Sequence, residues 1–178
     1  MNSYLMTCLV SAATSIATIA LYSRFNGLVR SKISKWRGQK GTISCSTSTR
    51  FVTIRLVPGQ DPYKELENFA RENRISAATI VSCVGSLTKA HIRYANSTSF
   101  GNLLGFYEIV SLVGCISDQG QHIHICISDH EGKAFGGHLL EGNKVYTTAE
   151  ITLAIHDDVV FERRPCPLSH WDELYIPE

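Results

Sequence analysis

Residues 120–142 read GQHIHICISDHEGKAFGGHLLEG. Side chains on a β-strand alternate between its two faces. Over the first part of this stretch, His122, His124, Cys126 and Ser128 therefore share one face, and Ile123, Ile125 and Ile127 share the other. The isoleucine face is the core face. The opposite face carries two imidazoles separated by two strand rises, roughly 7 Å. The following HEG supplies a turn. Three-residue hairpin loops usually end in the left-handed region, where Gly132 fits without a steric penalty. With His130, Glu131 and Gly132 as the loop, Asp129 faces Lys133 and, counting outward, His124 faces His138. Residues opposed on one face of an antiparallel pair have Cβ atoms about 5 Å apart. Three converging imidazoles are a usual protein contribution to a Zn²⁺ or Fe²⁺ site that keeps a position for water or substrate. His122, His124 and His138 are thus candidate ligands of a divalent metal, Zn²⁺ first and Fe²⁺ as the alternative. An HxH pair alone is also compatible with ordinary half-exposed histidines, and the facing His138 is what favours a metal. Gly136 and Gly137 leave the site uncrowded. His130 belongs to the turn, and the isolated His91, His156 and His170 receive no role.

Outward from this hairpin, the chain has 178 residues, 44% hydrophobic and 19% charged, with a formal net charge of +1. That length allows one domain and a short extension. A near-neutral balance gives no electrostatic case for nucleic-acid binding over the whole molecule. The six cysteines form no CxxC pair. Cys83, Cys115 and Cys126 lie in apolar runs and read as reduced, packed thiols.

Charge is distributed unevenly. No acidic residue precedes Asp61, whereas eight basic residues do. Residues 1–30 contain an uncharged apolar run from Tyr4 to Tyr22. Its length fits a membrane anchor, and the basic flank RSKISKWRGQK would hold the following domain on the cytoplasmic side. A cleaved mitochondrial presequence is the alternative. Residues 31–50, rich in Ser, Thr and basic groups, read as a linker, and residues 51–178 as the folded domain. Within it, FVTIRLVP reads as a strand. A helix over about 61–73 follows, with Asp61 as N-cap, Pro62 in the first turn and Leu66, Phe69 and Ala70 as its apolar stripe. Short β-rich runs follow: ISAATIVSCVGSL, KAHIRYANS, FYEIVSLVGCIS, QHIHICIS, KAFGGHLL, KVYTTAEITLAI and VVFERR. One helix among many consecutive strands predicts an α+β fold with a mostly antiparallel twisted sheet. The tail PLSHWDELYIPE reads as an extended closing segment.

Taken in order, RLVPGQD, ATIVSCVGSL, FYEIVSLVGCIS, HIHICISDHEGKAFGGHLLEG and VYTTAEITL resemble the PPC domain, the plant and prokaryote domain of a family labelled DNA-binding. The stand-alone prokaryotic-type members are the nearest in pattern. The resemblance implies a compact α+β domain that assembles as a homotrimer. It also implies a fold similar to acetolactate decarboxylase, a zinc enzyme whose histidine ligands include an HxH pair. The positions matching such ligands are again His122, His124 and His138. Plant members bind AT-rich DNA largely through a separate RGRP hook. This chain has only RGQK at 37–40, without the extended basic core that lies in a narrow minor groove.

The expected function is a PPC-domain homotrimer that binds a divalent metal through the histidine trio and acts on or senses a small molecule. A DNA-binding module and a non-catalytic assembly scaffold are the alternatives. Glu150, an acid within a β run, would either support the metal ligands from behind or form a structural ion pair. No general base is assigned, and Glu108 is no better a candidate than Glu150.

Overall fold

The computed structural model describes residues 46–97 and 100–177, together with Ala20, Leu21 and Arg24. The linker motif RGQK and nearly all of the N-terminal apolar run lie outside the described residues. Among the described residues, no helix is long and apolar enough to cross a membrane. The expected transmembrane anchor, and the placement of the domain at a membrane, are corrected accordingly. Ser11, Thr14, Ser15 and Thr18 dilute the apolar run whose length and basic flank suggested a span.

Ser48–Glu178 form one compact unit. Its elements are β1 (Thr49–Leu56), α1 (Pro62–Glu72), β2 (Ala78–Arg93), β3 (Phe100–Ser117), β4 (Gly120–Ser128), β5 (Ala134–Leu139), β6 (Lys144–His156), β7 (Glu162–Pro165) and β8 (Asp172–Tyr175). The first six strands make an antiparallel sheet in the order β1-β6-β2-β3-β4-β5, and β7 and β8 pair separately. The α+β class and the antiparallel sheet agree with the sequence reading. ISAATIVSCVGSL and KAHIRYANS belong to one long strand, β2, with a register shift between Leu87 and Lys89 instead of a break. The strand β3 begins at Phe100, before the expected FYEIV, because its glycine-rich start pairs with the end of β2 through Arg93↔Phe100 and Ala90↔Leu103. Pairing with a neighbouring strand outweighs the weak β propensity of Gly101, Asn102 and Gly105.

The end of β5 also pairs with the end of β2, through Ile92↔Leu139 and Arg93↔His138. The strands β2, β3, β4 and β5 therefore curl into a closed ring, and β5 has no free edge at His138. Closure needs close backbone approach. A Cβ on Gly137 would lie 2.6 Å from the Arg93 carbonyl oxygen and 2.6 Å from Ile92 Cγ2. Only glycine lets β5 reach β2 here, so Gly137 serves ring closure and not the uncrowding of a ligand position.

The core is built as the alternation requires. Ile123, Ile125 and Ile127 are 0%, 2% and 0% exposed and pack with Leu112, Ile116 and Leu139. The helix α1 buries Leu66 and Ala70, with Phe69 partly buried beside them. Its N-cap is Asp61, which accepts from the Tyr63 amide. The same carboxylate accepts from the Gly142 amide and from Asn143 Nδ2, and Gln121 Nε2 donates to the Tyr63 carbonyl. The first turn of α1 is thus tied both to the segment after β5 and to the start of β4, the two strands that carry the histidines.

Candidate metal centre

The β4–β5 hairpin has the register its turn demands. His124 pairs with His138, Ile125 with Gly137 and Ser128 with Ala134. The Asp129 amide donates to the Lys133 carbonyl, and Gly132 sits at φ +79°. Asp129 Oδ1 also accepts from the amides of Glu131 and Lys133, so one side chain satisfies both amides of the bend. Read across the sheet, one row runs Arg93, His138, His124, Val113, from β2 through β5 and β4 to β3. His122 lies two residues along β4, opposite Cys115.

The trio converges. One ligand-capable atom from each of His122, His124 and His138 lies within 4.8 Å of the others. Ring centroids are 5.0 Å apart for His122 and His124, 4.9 Å for His122 and His138, and 5.6 Å for His124 and His138. The Nε2 atoms of His122 and His124 stand 3.2 Å apart. A neutral imidazole has one N–H and one lone pair. Two facing Nε2 atoms must share a proton, or both present lone pairs to a cation. Nδ1 of His138 is buried with no hydrogen-bond partner, and a buried ring nitrogen without a partner costs free energy unless something satisfies it. The donor set, its spacing and this unpartnered nitrogen fit a divalent ion of the zinc type.

The surroundings of His122 and His138 favour their neutral form, the form that binds metal. Burial, then the neighbouring His122 and the Arg93 guanidinium, push His138 down to about 4. Burial, then His124 and Arg163, push His122 down as well. Burial raises the Cys115 thiol, although Arg163 opposes the shift, so Cys115 is not poised as a thiolate ligand. Cys83, Cys115, Cys126 and Cys166 are all free thiols.

Beside the trio lies a cavity of about 660 Å³, with His122 and His138 in its wall. The far wall is the β7–β8 hairpin, which contributes Arg163, Asp172 and Glu173, with Trp171 just ahead of β8. The guanidinium of Arg93 lies over the Trp171 ring, 5.0 Å from its centroid. The expected extended tail is therefore half of a hairpin that borders the site. None of these cavity residues was singled out from the sequence, because what brings them in is tertiary: Arg93 stands opposite His138 only because the ring closes. Glu150 is elsewhere. It lies on β6 between Arg55 of β1 and Val84 of β2, accepts from Thr148 Oγ1, and does not line the cavity. His91 and His156 are engaged away from the trio, by the Glu141 carbonyl and by Thr49 and Thr79 respectively, and His130 is exposed in the turn.

The fold around the trio is a small, ring-closed α+β domain. The Plants and Prokaryotes Conserved (PCC) domain matches residues 43–157, and the chain belongs to that family. The bifunctional protein GlmU of Synechococcus sp. (strain JA-3-3Ab) is 42% identical over 129 residues, which are 72% of this chain and 21% of that protein. The chain thus spans about a fifth of the length of the curated relatives it matches. A hypothetical protein from Salmonella cholerae-suis (also Salmonella enterica) superposes with a TM-score of 0.73 at 38% identity, covering 76% of this chain and 97% of that one. A PPC protein from Pyrococcus horikoshii gives a TM-score of 0.63 at 28% identity, covering 75% and 99%. The metal-containing protein AF0104 of Archaeoglobus fulgidus gives 0.67 at 24% identity, covering 76% and 99%, and at that identity speaks for the fold alone.

Proposed function

We propose that this PCC-domain protein binds a divalent metal through His122, His124 and His138. The observation that carries the reading is the set of three imidazole nitrogens, one from each ring, within 4.8 Å of one another. A bound ion would supply Lewis-acid polarisation of a carbonyl or activation of water. Around it, the chain's own residues do the rest: His122 and His138 face a cavity large enough for a small molecule, and β7–β8 shields that cavity from one side. Protein purified without chelators should carry about one zinc or iron per chain by elemental analysis, and His124→Ala should abolish it. Metal-free protein that takes up neither ion on incubation refutes the reading.

The same proposal includes self-association, as a homotrimer. It is supported by outward-facing apolar side chains on β3, where Leu104, Phe106, Val110 and Val113 are 74%, 64%, 59% and 53% exposed. Several large apolar groups exposed along one strand mark an interaction surface more often than bare surface. Sedimentation equilibrium should give three times the chain mass, and Val110→Lys should lower it. A monomer at micromolar concentration counts against the assembly and leaves the metal site unaffected.

A further inference from the structure

We propose that the cavity beside the histidine trio receives a small organic carboxylate that also carries a hydrogen-bond donor, with its carboxylate held by Arg93 and Arg163. This deepens the metal-site reading and rests on it for the direction in which the rest of the ligand points. Three observations carry it.

The first is placement. Arg93 pairs directly with His138 across β2 and β5, and Arg163 enters the same cavity from β7. Two guanidinium groups from different elements thus border the space that His122 and His138 face. A guanidinium presents a planar fork of N–H donors that matches a carboxylate.

The second is that, among the described residues, these two arginines have no carboxylate partner. Arg50, Lys64, Arg71, Lys133 and Arg164 each pair with a carboxylate, at 2.9, 2.6, 3.3, 2.6 and 2.7 Å. Among the described residues, neither Arg93 nor Arg163 has such a partner within 4.0 Å. Asp172 and Glu173 share the cavity wall without pairing to them. Glu67, paired with Arg71, lines the cavity as well, so three carboxylates share the wall with the two arginines and a doubly charged phosphate is disfavoured more than a singly charged carboxylate. The Arg93 guanidinium lies over the Trp171 ring, an interaction that does not use up its N–H donors.

The third is Gln121. Gln121 lines the cavity; its Nε2 is fixed by the Tyr63 carbonyl, while its Oε1 is buried without a partner just behind the wall, where a shift of the side chain would present it to the ligand. A buried acceptor left open calls for a donor, and a hydroxyl on the ligand supplies one.

The test is isothermal titration of the zinc-incubated full chain with lactate, propionate and inorganic phosphate. Lactate should bind more tightly than propionate and than phosphate. Arg93→Gln and Arg163→Gln should each weaken lactate about tenfold or more, the scale of one lost charged hydrogen bond, with zinc content and circular dichroism unchanged. Equal binding by the arginine variants, equal binding of propionate, or preference for phosphate overturns the proposal. The two readings fail separately. If zinc is bound but lactate ignores the arginines, carboxylate recognition is wrong and the metal site stands. If no zinc is bound yet lactate binding depends on the arginines, the metal site is wrong and the arginine pair stands.

Discussion

The β4–β5 and β7–β8 hairpins border the same cavity but are held by different forces. In β4, every second residue from Ile123 to Ile127 is buried, and the hairpin is stitched into a closed ring by β3 on one side and β2 on the other. In β7 and β8 no residue is fully buried. That hairpin is held by side-chain contacts: Arg164 stacks over Tyr175 at 3.6 Å and pairs with Glu162, and Arg93 lies against Trp171. The first hairpin is a rigid carrier for the trio. The second is a lightly held wall. A site built from both can keep its ligand geometry fixed while the opposite wall adjusts to what enters.

The comparison can be broken most directly at the core. Ile125→Ala removes a side chain that is 2% exposed, directly behind His124, and should cost about 2–5 kcal/mol of unfolding free energy. Trp171→Ala, on a residue that is 64% exposed, should cost under about 1 kcal/mol. Urea unfolding of both variants decides the point, and comparable losses would mean that the two hairpins are anchored equally well.

A smaller effect belongs to the turn. Gly132 has φ +79°, and a Cβ there would meet nothing within 4 Å. Gly132→Ala therefore tests backbone strain alone. It should cost about 1–2 kcal/mol and lower zinc affinity, because the turn sets the register that puts His138 opposite His124. Unchanged affinity would show that ring closure at Gly137 fixes the register by itself.

Acid should separate the hairpins further. The ordinary histidine value is 6.5, and in the fold His138 is pushed down to about 4. Between those values the unfolded chain binds the proton more readily, so metal-free protein loses stability as pH falls from 6.5 towards 4. The ring is only partly buried, so the loss is modest, a drop of a few degrees in Tm. His138→Gln should reduce that slope, leaving the part that His122, also pushed down by burial, contributes. A slope undiminished by the substitution would place its origin outside His138.

The difference between the hairpins also explains what could be read from the sequence. The pattern of isoleucines, the glycine at the end of HEG and the His124–His138 register are local facts, set by alternation and turn chemistry within a span of 23 residues. Asp61 and Pro62 marked the start of the helix for the same reason. Arg93, Arg163 and Glu173 were not legible as site residues. They reach the cavity through the closure of β5 on β2 and through a hairpin with no buried stripe, and neither leaves a periodic trace. Glu150 was noticed for being an acid within an apolar strand, yet the sheet order places β6 on the side of β2 away from β4. The start of β3 was missed because its glycines read as breakers, whereas the end of β2 supplies the pairing.

The smallest expected effect is the most discriminating. Tyr175→Leu keeps an apolar side chain on β8 but removes the ring under Arg164. A cation–π contact at an exposed site is worth about 0.5–1 kcal/mol, and the Arg164–Glu162 pair remains to hold β7. Global unfolding should barely change, because the main sheet does not depend on this hairpin for burial. Local opening should change more. Amide exchange at Arg163 and Leu174, which pair across β7 and β8, should accelerate several-fold, while exchange at Ile123 and Ile125 should hold its rate. If the β4 amides accelerated in step with those of β7 and β8, the two hairpins would open as one unit, and the distinction between a rigid carrier and an adjustable wall would fail.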